Sequence, residues 1–303
     1  MNNIEDKVLK YIIKDKNMEK IITIPNKLNI IERSYQFLAK LQYEIYACKE
    51  PFIVLDFQDC QFIAPAFTAY FGALMAMAKK WGKSVNIRSP HNIKVMNYFK
   101  NSGFYNYYSG NKYNYTNPNS IPFTKVNLDD CNLINYIDNI LDLAPITLSP
   151  DCRDSLFKNI YEIFNNATDH SNSFCGVFAC GHWMPNKNQL IFSVCDTGTG
   201  IPRLVKQQNS NITSIDAIKW ALQRGNSTKQ MTDGAPRGLG MADLKDFTEL
   251  NNGSLIIFSN DVYYNHSKNK EEIRLPYDVL GTLITGIITA DREQIYILKE
   301  EQS

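Results

Sequence analysis

The chain lacks an excess of charge of either sign. Lysine and arginine together number 32, and aspartate and glutamate together number 31, among 303 residues. This balance provides no global field that would draw the protein to nucleic acid or to an anionic membrane. We therefore expect neither a membrane nor a nucleic acid among its partners.

Paired cysteine motifs and long apolar runs are also missing. The seven cysteines are an odd number without C-x-x-C spacing, at positions Cys48, Cys60, Cys131, Cys152, Cys175, Cys180 and Cys195. This pattern favours reduced, buried thiols over a disulfide framework or a zinc site. No uninterrupted apolar stretch could span a bilayer, and no basic N-terminal region leads into an apolar run. These absences predict a soluble cytoplasmic protein.

The chain does have enough apolar sequence for a sizeable core. Hydrophobic residues make up 44% of the 303 positions, and this length predicts two domains. Strands and helices alternate over roughly the first 105 residues, which favours an α/β unit. The predicted helices are 4–16, Asn29–Ala47, Pro65–Trp81 and Asn92–Ser102, and the strands are Lys20–Ile24, Phe52–Asp56 and Ser84–Ile87. The apolar run Phe52–Asp56 suits a strand covered on both faces.

The sequence patterns Leu55–Ile63, Gly82–Ile87 and Val95–Phe104 resemble the STAS domain of anti-sigma-factor antagonists. The resemblance covers about 50–108. Where that family has a phosphorylatable Ser-Ser-Gly, this chain has Pro65-Ala-Phe67, followed by Thr68. A STAS-like regulatory domain over 1–110 would therefore not switch partners by that phosphorylation.

A linker is predicted between two domains. Ser109–Pro122 is rich in Asn, Tyr, Ser, Gly and Pro and has no hydrophobic period. We place the linker over 111–130 and the second domain over 131–299, beginning with a helix over Leu133–Leu143.

Three sequence boxes in the second domain carry candidate chemistry. The first lies on a helix that Ser149-Pro150 would open, where Glu162, Asn166 and His170 recur every four residues along one stripe. A carboxylate can act as a base, and an amide oxygen can coordinate Mg²⁺. The alternative is a solvated helix face with ordinary polar residues.

The second box, Asp196-Thr-Gly-Thr-Gly-Ile201, follows a predicted strand over Gln189–Cys195. Its glycines, Gly198 and Gly200, would let the backbone approach a flat ring closely. The carboxylate of Asp196 could accept a hydrogen bond from the exocyclic amine of adenine. A simple tight turn is the alternative.

The third box, Arg237-Gly238-Leu239-Gly240-Met-Ala242, leads into a predicted helix over Met241–Phe247. Backbone N–H groups at a helix start bind anions such as triphosphate. The preceding stretch from Arg224 to Lys229 is predicted to be part of a mobile lid, and Lys229 and Arg237 could add charge to the phosphate site. An ordinary glycine-bearing loop remains the alternative.

The order of the three boxes resembles the GHKL superfamily over about 150–290, with strands predicted over Gly253–Phe258 and Gly281–Ile288. The resemblance implies a Bergerat-type, two-layer α/β sandwich with a mixed sheet that binds ATP and Mg²⁺. It implies Glu162 as the catalytic carboxylate, Asn166 as the Mg²⁺ ligand, and Asp196 with Thr282 as adenine contacts. The implied nucleotide-binding positions further include Gly198, Gly200, Ile201, Lys229, Arg237, Gly238, Leu239 and Gly240. The first box is most similar to the anti-sigma-factor serine kinases.

Two absences narrow the function that this resemblance implies. The chain has no helical hairpin bearing a phosphoacceptor histidine, and it lacks a long transducer domain. We therefore expect a regulator that works with a protein partner, with a homodimer left open, in partner-switch-like signalling. The first hypothesis is a slow ATPase or Ser/Thr protein kinase that uses Glu162 as base. The alternative is a non-catalytic module whose protein binding depends on nucleotide.

Overall fold

The computed structural model describes residues 18–109, 117–126, 130–169, 173–227, 239–291 and 293–298. The protein is a mixed α/β structure, as the sequence predicts. The predicted helix over 4–16 lies outside these residues. Within them, no helix combines the length and apolarity needed to cross a membrane. All seven cysteines are unpaired thiols.

The N-terminal half is built on a small parallel sheet in which the strand Phe52–Asp56 lies between the strands Glu19–Thr23 and Ser84–Arg88. Its elements are β1 (Glu19–Thr23), β2 (Lys27–Leu28), α1 (Glu32–Ala47), β3 (Phe52–Asp56), β4 (Phe62–Ile63), α2 (Phe67–Lys80), β5 (Ser84–Arg88), α3 (Ile93–Asn101) and α4 (Phe104–Ser109). The alternation predicted from the sequence is confirmed here. Asn92 begins α3 as predicted, because its side chain accepts hydrogen bonds from the backbone N–H groups of Lys94 and Val95.

The prediction that β3 is covered on both faces is wrong. Ile53 and Leu55 are fully buried, whereas the intervening Val54 is only half-buried and Phe52 is 46% exposed. Helices cover one face of this sheet, so side chains on the other face keep contact with solvent. The continuous apolar sequence therefore predicts more burial than this strand has.

The strands of the C-terminal half are β6 (Ser120–Val126), β7 (Thr147–Leu148), β8 (Val177–Met184), β9 (Gln189–Cys195), β10 (Ser254–Ser259), β11 (Val262–His266), β12 (Glu271–Arg274), β13 (Thr282–Thr289) and β14 (Ile295–Tyr296). Seven of them form one large sheet in the order β12-β11-β10-β13-β9-β8-β6, and β7 and β14 form a separate parallel pair. The helices of this half are α5 (Asp130–Asp142), α6 (Pro150–Asp169), α7 (Ile201–Gln208), α8 (Ser214–Ala221) and α9 (Gly240–Leu250). Every neighbouring pair in the large sheet is antiparallel, so the prediction of a mixed sheet is wrong.

Part of the predicted linker over 111–130 belongs to this sheet. Residues Ser120–Val126 form its edge strand β6, which buries Ile121 and Phe123. The register of β6 on β8 shifts between Ile121 and Thr124, around Pro122. Proline is tolerated at such an edge because the strand needs no hydrogen bond from that position. The proline and the polar residues before it concealed the strand in the sequence.

The inner strands of the large sheet are buried on both faces. Along β9, Leu190, Phe192 and Val194 join a core cluster with the helices of the C-terminal half, whereas Ile191 and Cys195 join a cluster with the N-terminal half. The sheet is therefore an inner layer, and a two-layer sandwich describes only one side of it. Burial on both sides explains why its strands are almost continuously apolar.

Helices α1 and α2 provide the contacts on the second face. The ring of Tyr35 in α1 lies 5.4 Å from that of Phe258 and 4.5 Å from that of Tyr263. A Cβ atom added at Gly72 in α2 would lie 2.5 Å from the Phe123 ring. This close approach places the two predicted domains around one shared core.

Candidate functional site

An open cleft lies on the side of the large sheet that is covered by the helices of the C-terminal half. There β9 and β13 meet α6, α7, α8 and α9. The empty space of the cleft, including the part open to solvent at the mouth, is about 730 Å³. Its lining is mainly apolar with a few polar groups. The lining residues are Asn166, Ala167, Val194, Asp196, Gly200, Ile201, Leu204, Val205, Trp220, Ala221, Asn226, Ser227, Met241, Thr282 and Ile284.

Asp196 is the buried carboxylate of this cleft. It follows the last residue of β9, is only 5% exposed, and its Oδ1 accepts a 2.7 Å hydrogen bond from the backbone N–H of Gly198. Burial raises the pKa of Asp196 to about 7, although hydrogen bonds from Gly198 and Thr282 oppose the shift. A carboxyl group with a perturbed pKa in an apolar cleft is a typical feature of a functional site.

The turn after Asp196 is held by Asn260, a residue that the sequence analysis missed. Gly200 has a φ of +89°, and a Cβ atom there would lie 2.5 Å from the Asn260 amide. The Asn260 Oδ1 accepts a hydrogen bond from the Arg203 N–H, and its Nδ2 donates to the carbonyls of Thr199 and Val279. The glycine-rich turn is therefore a fixed part of the cleft wall.

Thr282 lies beside Asp196 across the β9–β13 junction. The Asp196 N–H donates to the Thr282 carbonyl at 3.0 Å, and the Gly281 N–H donates to the Gly198 carbonyl at 2.7 Å. The hydroxyl groups of Thr282 and Ser259 lie 2.8 Å apart, and the Ser259 Oγ also accepts from the Ile201 N–H. These contacts bring the second box and the late strand into one polar corner.

Gly281 is the position in this corner where a side chain is least tolerable. Its φ is +84°, and a Cβ atom would lie 2.2 Å from the Asp196 carbonyl oxygen. We expect Gly281→Ala to lower the free energy of unfolding by about 3 kcal/mol or more, because backbone strain and a clash act together. Urea unfolding would measure the loss.

Gly225→Ala is the matched control for Gly281→Ala. Gly225 has a similar φ of +82°, but its added Cβ would meet no heavy atom of the described chain within 4 Å. Only the backbone strain should remain, which costs about 1 kcal/mol. Equal losses in the two variants would contradict the close packing of Gly281 on Asp196.

Glu162 joins the first box to the third. Its Oε2 accepts a 2.6 Å hydrogen bond from the backbone N–H of Gly240, the first residue of α9. The N-cap position holds Leu239, whose apolar side chain cannot accept, so the carboxylate of Glu162 serves the start of this helix from a neighbouring one. A Cβ atom on Gly240 would lie 2.7 Å from Glu162. Glycine is therefore required for this contact.

Asn166 lies one turn after Glu162 on α6 and lines the cleft, as the predicted stripe requires. The helix begins as expected, since the Ser149 Oγ accepts a hydrogen bond from the Cys152 N–H. His170, the third member of the stripe, lies outside the described residues. No cluster of three or more His, Cys, Asp or Glu side chains that could bind a metal occurs in the described part of the chain. The side-chain oxygen of Asn166 is a single candidate ligand, so this site suits Mg²⁺ only when phosphate oxygens supply most of its ligands.

The cleft brings together most of the predicted nucleotide contacts. Asn166, Asp196, Gly200, Ile201 and Thr282 line it directly, while Glu162, Gly198 and Gly240 support it through hydrogen bonds. Leu239 is half-buried just before α9. Lys229, Arg237 and Gly238 lie outside the described residues.

Several lining residues gave no local signal in the sequence. The half-buried side chain of Trp220 lines the cleft. The Asn226 Nδ2 donates to the Trp220 carbonyl at 2.9 Å, which places the beginning of the predicted lid against the cleft. The other unpredicted lining residues include Val194, Leu204, Val205, Met241 and Ile284.

No model of a known protein family matches the sequence, and no curated protein matches it either. The chemistry of the cleft is therefore the basis on which function is inferred.

Proposed function

We propose that the chain is a GHKL-type, Mg²⁺-dependent ATP-binding regulator with a Bergerat-type cleft and a STAS-like N-terminal half. The observation that carries this proposal is the position of Asp196, a buried carboxylate in an apolar cleft that Asn166 also lines. Residues from separate sequence boxes converge there. Such convergence is what binding of one extended ligand requires.

The inner end of the cleft suits adenine. Asp196 offers a carboxylate oxygen to an exocyclic amine, and the neighbouring Thr282 adds a hydroxyl. Apolar side chains of Ile201, Met241 and Ile284 line the same space and could cover the faces of a flat ring. A few fixed polar groups within an apolar lining are what confer orientation and specificity on a small-molecule site.

The outer end suits a triphosphate. The Gly240 N–H at the start of α9 is a donor that a phosphate could use, but Glu162 currently accepts it at 2.6 Å. Engagement of Gly240 by phosphate would release the Glu162 carboxylate from this helix. Glu162 would then be able to take a proton from a water molecule or a hydroxyl group, as a general base does. Lys229, Arg237 and Gly238 are proposed to complete this end.

The residue proposed to hold Mg²⁺ is Asn166, through its side-chain oxygen. Bound Mg²⁺ would offset charge that develops on the phosphates during transfer or hydrolysis. Asn166 is neutral and half-buried at the cleft lining, so it can bind a cation without adding charge. This arrangement agrees with a cation that arrives together with its nucleotide.

The second candidate function is a non-catalytic, nucleotide-dependent protein-binding module. The hydrogen bond between Glu162 and the Gly240 N–H favours it, because a carboxylate used in this way stabilises a helix and leaves less capacity to act as base. Nucleotide would then change an interface without chemistry. Either function makes the chain a regulator of a protein partner.

The STAS-like half is proposed to regulate without phosphorylation of its own helix start. Thr68 is fully buried, and its hydroxyl lies 2.7 Å from that of Tyr98. The adjacent Pro65 carbonyl accepts a 3.3 Å hydrogen bond from the thiol of Cys180 in β8. A kinase could not reach this hydroxyl while the two halves are packed together.

The direct test is calorimetric titration of the full chain with ATP in the presence of Mg²⁺, with GTP as the matched ligand. We expect ATP to bind at least about 100-fold more tightly, because guanine places a carbonyl oxygen where adenine places its amine. That oxygen would face the Asp196 carboxylate. Removing Mg²⁺ should weaken the binding of ATP more than that of adenosine.

Two results would count against the proposal. Absence of heat with ATP at millimolar concentration would exclude an ATP site in this cleft. Equal affinity for ATP and GTP would exclude Asp196 as the adenine contact, whatever binds there.

A further inference from the structure

A buried glutamine in the N-terminal half hydrogen-bonds the backbone beside the candidate adenine corner. Gln42 lies in α1 and is only 3% exposed. Its Oε1 accepts a 2.6 Å hydrogen bond from the Leu280 N–H, and its Nε2 donates to the Leu280 carbonyl at 3.3 Å. The two residues are 238 positions apart. One side-chain amide thus satisfies both backbone groups of one residue in the other half.

The orientation of Gln42 is set by a second buried residue. The Gln42 Nε2 also donates to the hydroxyl of Tyr70 at 3.3 Å, and that hydroxyl donates to the Leu38 carbonyl at 3.0 Å. Tyr70 belongs to α2, so both long helices of the N-terminal half determine where this amide points. A buried polar network that is satisfied at every member holds a single geometry.

Leu280 immediately precedes the residues that complete the corner. The Gly281 N–H donates to the Gly198 carbonyl at 2.7 Å, and the Thr282 carbonyl accepts from the Asp196 N–H at 3.0 Å. The close approach of Gly281 to the Asp196 backbone, described above, leaves no room for independent movement. A displacement of Leu280 must therefore displace the turn that carries Asp196.

We propose that Gln42 is a positioning residue for the nucleotide site, through which the N-terminal half sets the geometry of Asp196 and Thr282. This inference rests on the proposed ATP site. Gln42 touches no nucleotide; it acts through Leu280. Its partners in the C-terminal half are backbone groups, so it fixes a position in space and does not select a particular side chain there.

Positioning by Gln42 makes the two halves thermodynamically coupled. If the packing of α1 alters the affinity of the cleft for nucleotide, then nucleotide must alter the packing of α1 by the same free energy. The ring contact between Tyr43 and Tyr277, with centroids 5.1 Å apart, lies beside this connection at the protein surface. A partner that binds α1 there would therefore sense the cleft.

Gln42→Met tests the proposal, because methionine nearly keeps the volume of glutamine and removes both hydrogen bonds to Leu280. Gln36→Met is the matched control: Gln36 is on the same helix, and its Nε2 donates to Glu32 within that helix. We expect Gln42→Met to weaken ATP binding about tenfold, the size of a typical coupling between sites, and the control to change it less than twofold. The affinity ratio of ATP to ADP should stay unchanged, because only the adenine end is affected.

Amide hydrogen exchange of the ligand-free protein provides a readout that does not depend on nucleotide. In Gln42→Met, exchange should accelerate in 196–201 and 279–282, while β8 exchanges as in the parent chain. Thermal unfolding of both variants would establish that each is folded.

The outcomes separate the inference from the proposed function. If the parent chain binds ATP and Gln42→Met binds it equally well, the positioning role is wrong and the ATP site stands. If the parent chain does not bind ATP, the proposed function is wrong; faster exchange in 196–201 would still support positioning by Gln42, and unchanged exchange would overturn it. An equal loss of protection throughout β8 would indicate general destabilisation and would also overturn it.

Discussion

Asp196→Asn is expected to abolish measurable ATP binding while the cleft keeps its shape. The asparagine Oδ1 can still accept the Gly198 N–H that Asp196 accepts at 2.7 Å. The other carboxylate oxygen becomes the amide NH2 group, a donor that would face the donor NH2 group of adenine. Loss of that hydrogen bond with a buried donor left unsatisfied should cost about 3 kcal/mol or more, which exceeds 100-fold in affinity.

The pH dependence of ATP binding should follow Asp196 in the parent chain. Burial raises its pKa from 3.8 to about 7, and adenine binding requires the ionised form. The ionised fraction rises about tenfold between pH 6 and pH 8 for such a group. ATP affinity should rise by the same factor over this range, and calorimetry at several pH values would measure it.

The Asp196→Asn variant should be more stable towards unfolding than the parent chain at alkaline pH. Because the pKa of Asp196 is raised in the folded state, the native protein holds a proton that the unfolded chain has already lost. Stability therefore falls as pH rises from about 4 to about 7, by roughly 4 kcal/mol for a shift of this size. Asp196→Asn removes this loss. The gain over the parent chain should be absent near pH 4 and complete above pH 8.

Asp261→Asn is a control with the opposite sign. Burial raises the pKa of Asp261, but hydrogen bonds from Ser214 and Arg274 outweigh it, and the pKa is lowered overall. Its carboxylate lies 2.7 Å from the Arg274 Nε. Asp261→Asn should destabilise the protein at neutral pH, and the difference should vanish as pH falls below the pKa of Asp261 in the folded state.

An Asp196→Asn variant that binds ATP normally, or gains no stability at high pH, would refute the role of Asp196.

Local signals were sufficient to predict many elements. β3 and β9 coincide with their predicted bounds, and Ser149 caps α6 as expected. Such features depend on residues close together in sequence. The edge strand β6 was missed because Pro122 and its polar neighbours indicate a loop, whereas burial of Ile121 and Phe123 is decided by partners far along the chain.

Tertiary contacts explain what the sequence could not predict about the cleft. Asn166 and Asp196 were singled out because their boxes have a recognisable pattern, and Thr282 because the family resemblance implies it. Asn260 fixes the turn through hydrogen bonds to residues about 60 positions away, at Thr199 and Arg203. An asparagine after a strand carries no indication of such a role.

The shared core would let the sheet couple the two halves of the chain. Strands β9 and β13 line the proposed nucleotide cleft with some side chains and join the core cluster of the N-terminal half with others. In β9, Val194 lines the cleft, whereas the neighbouring Cys195 belongs to the cluster with the N-terminal half. A rigid, densely packed sheet transmits small displacements instead of absorbing them. This arrangement would let the proposed nucleotide site and the N-terminal half influence each other through the sheet.

Glu162→Gln is expected to retain ATP binding and to lose turnover by a factor of about 10² to 10⁴, the usual contribution of a general base. Glutamine keeps an oxygen that can accept the Gly240 N–H, which Glu162 accepts at 2.6 Å. It cannot take up a proton from water or a hydroxyl group. Glu162→Gln therefore distinguishes ATP binding from turnover, because it replaces only one carboxylate oxygen by an NH2 group.

Two further variants define what this result means. Glu162→Ala removes the acceptor for Gly240 as well as the base, so it should lose turnover and destabilise the start of α9 by about 1 kcal/mol in the ligand-free protein, while the Gly240 N–H stays available to phosphate. Glu249→Gln, at the other end of α9, changes a carboxylate that lies 3.1 Å from the His266 ring nitrogen and should alter neither turnover nor the start of α9.

Phosphate release and phosphate transfer to serine or threonine would be measured with all three variants. Unchanged turnover in Glu162→Gln would exclude Glu162 as base. Normal signalling by Glu162→Gln with no turnover in any variant would instead identify Glu162 as the group that holds α9 in a nucleotide-dependent binding module.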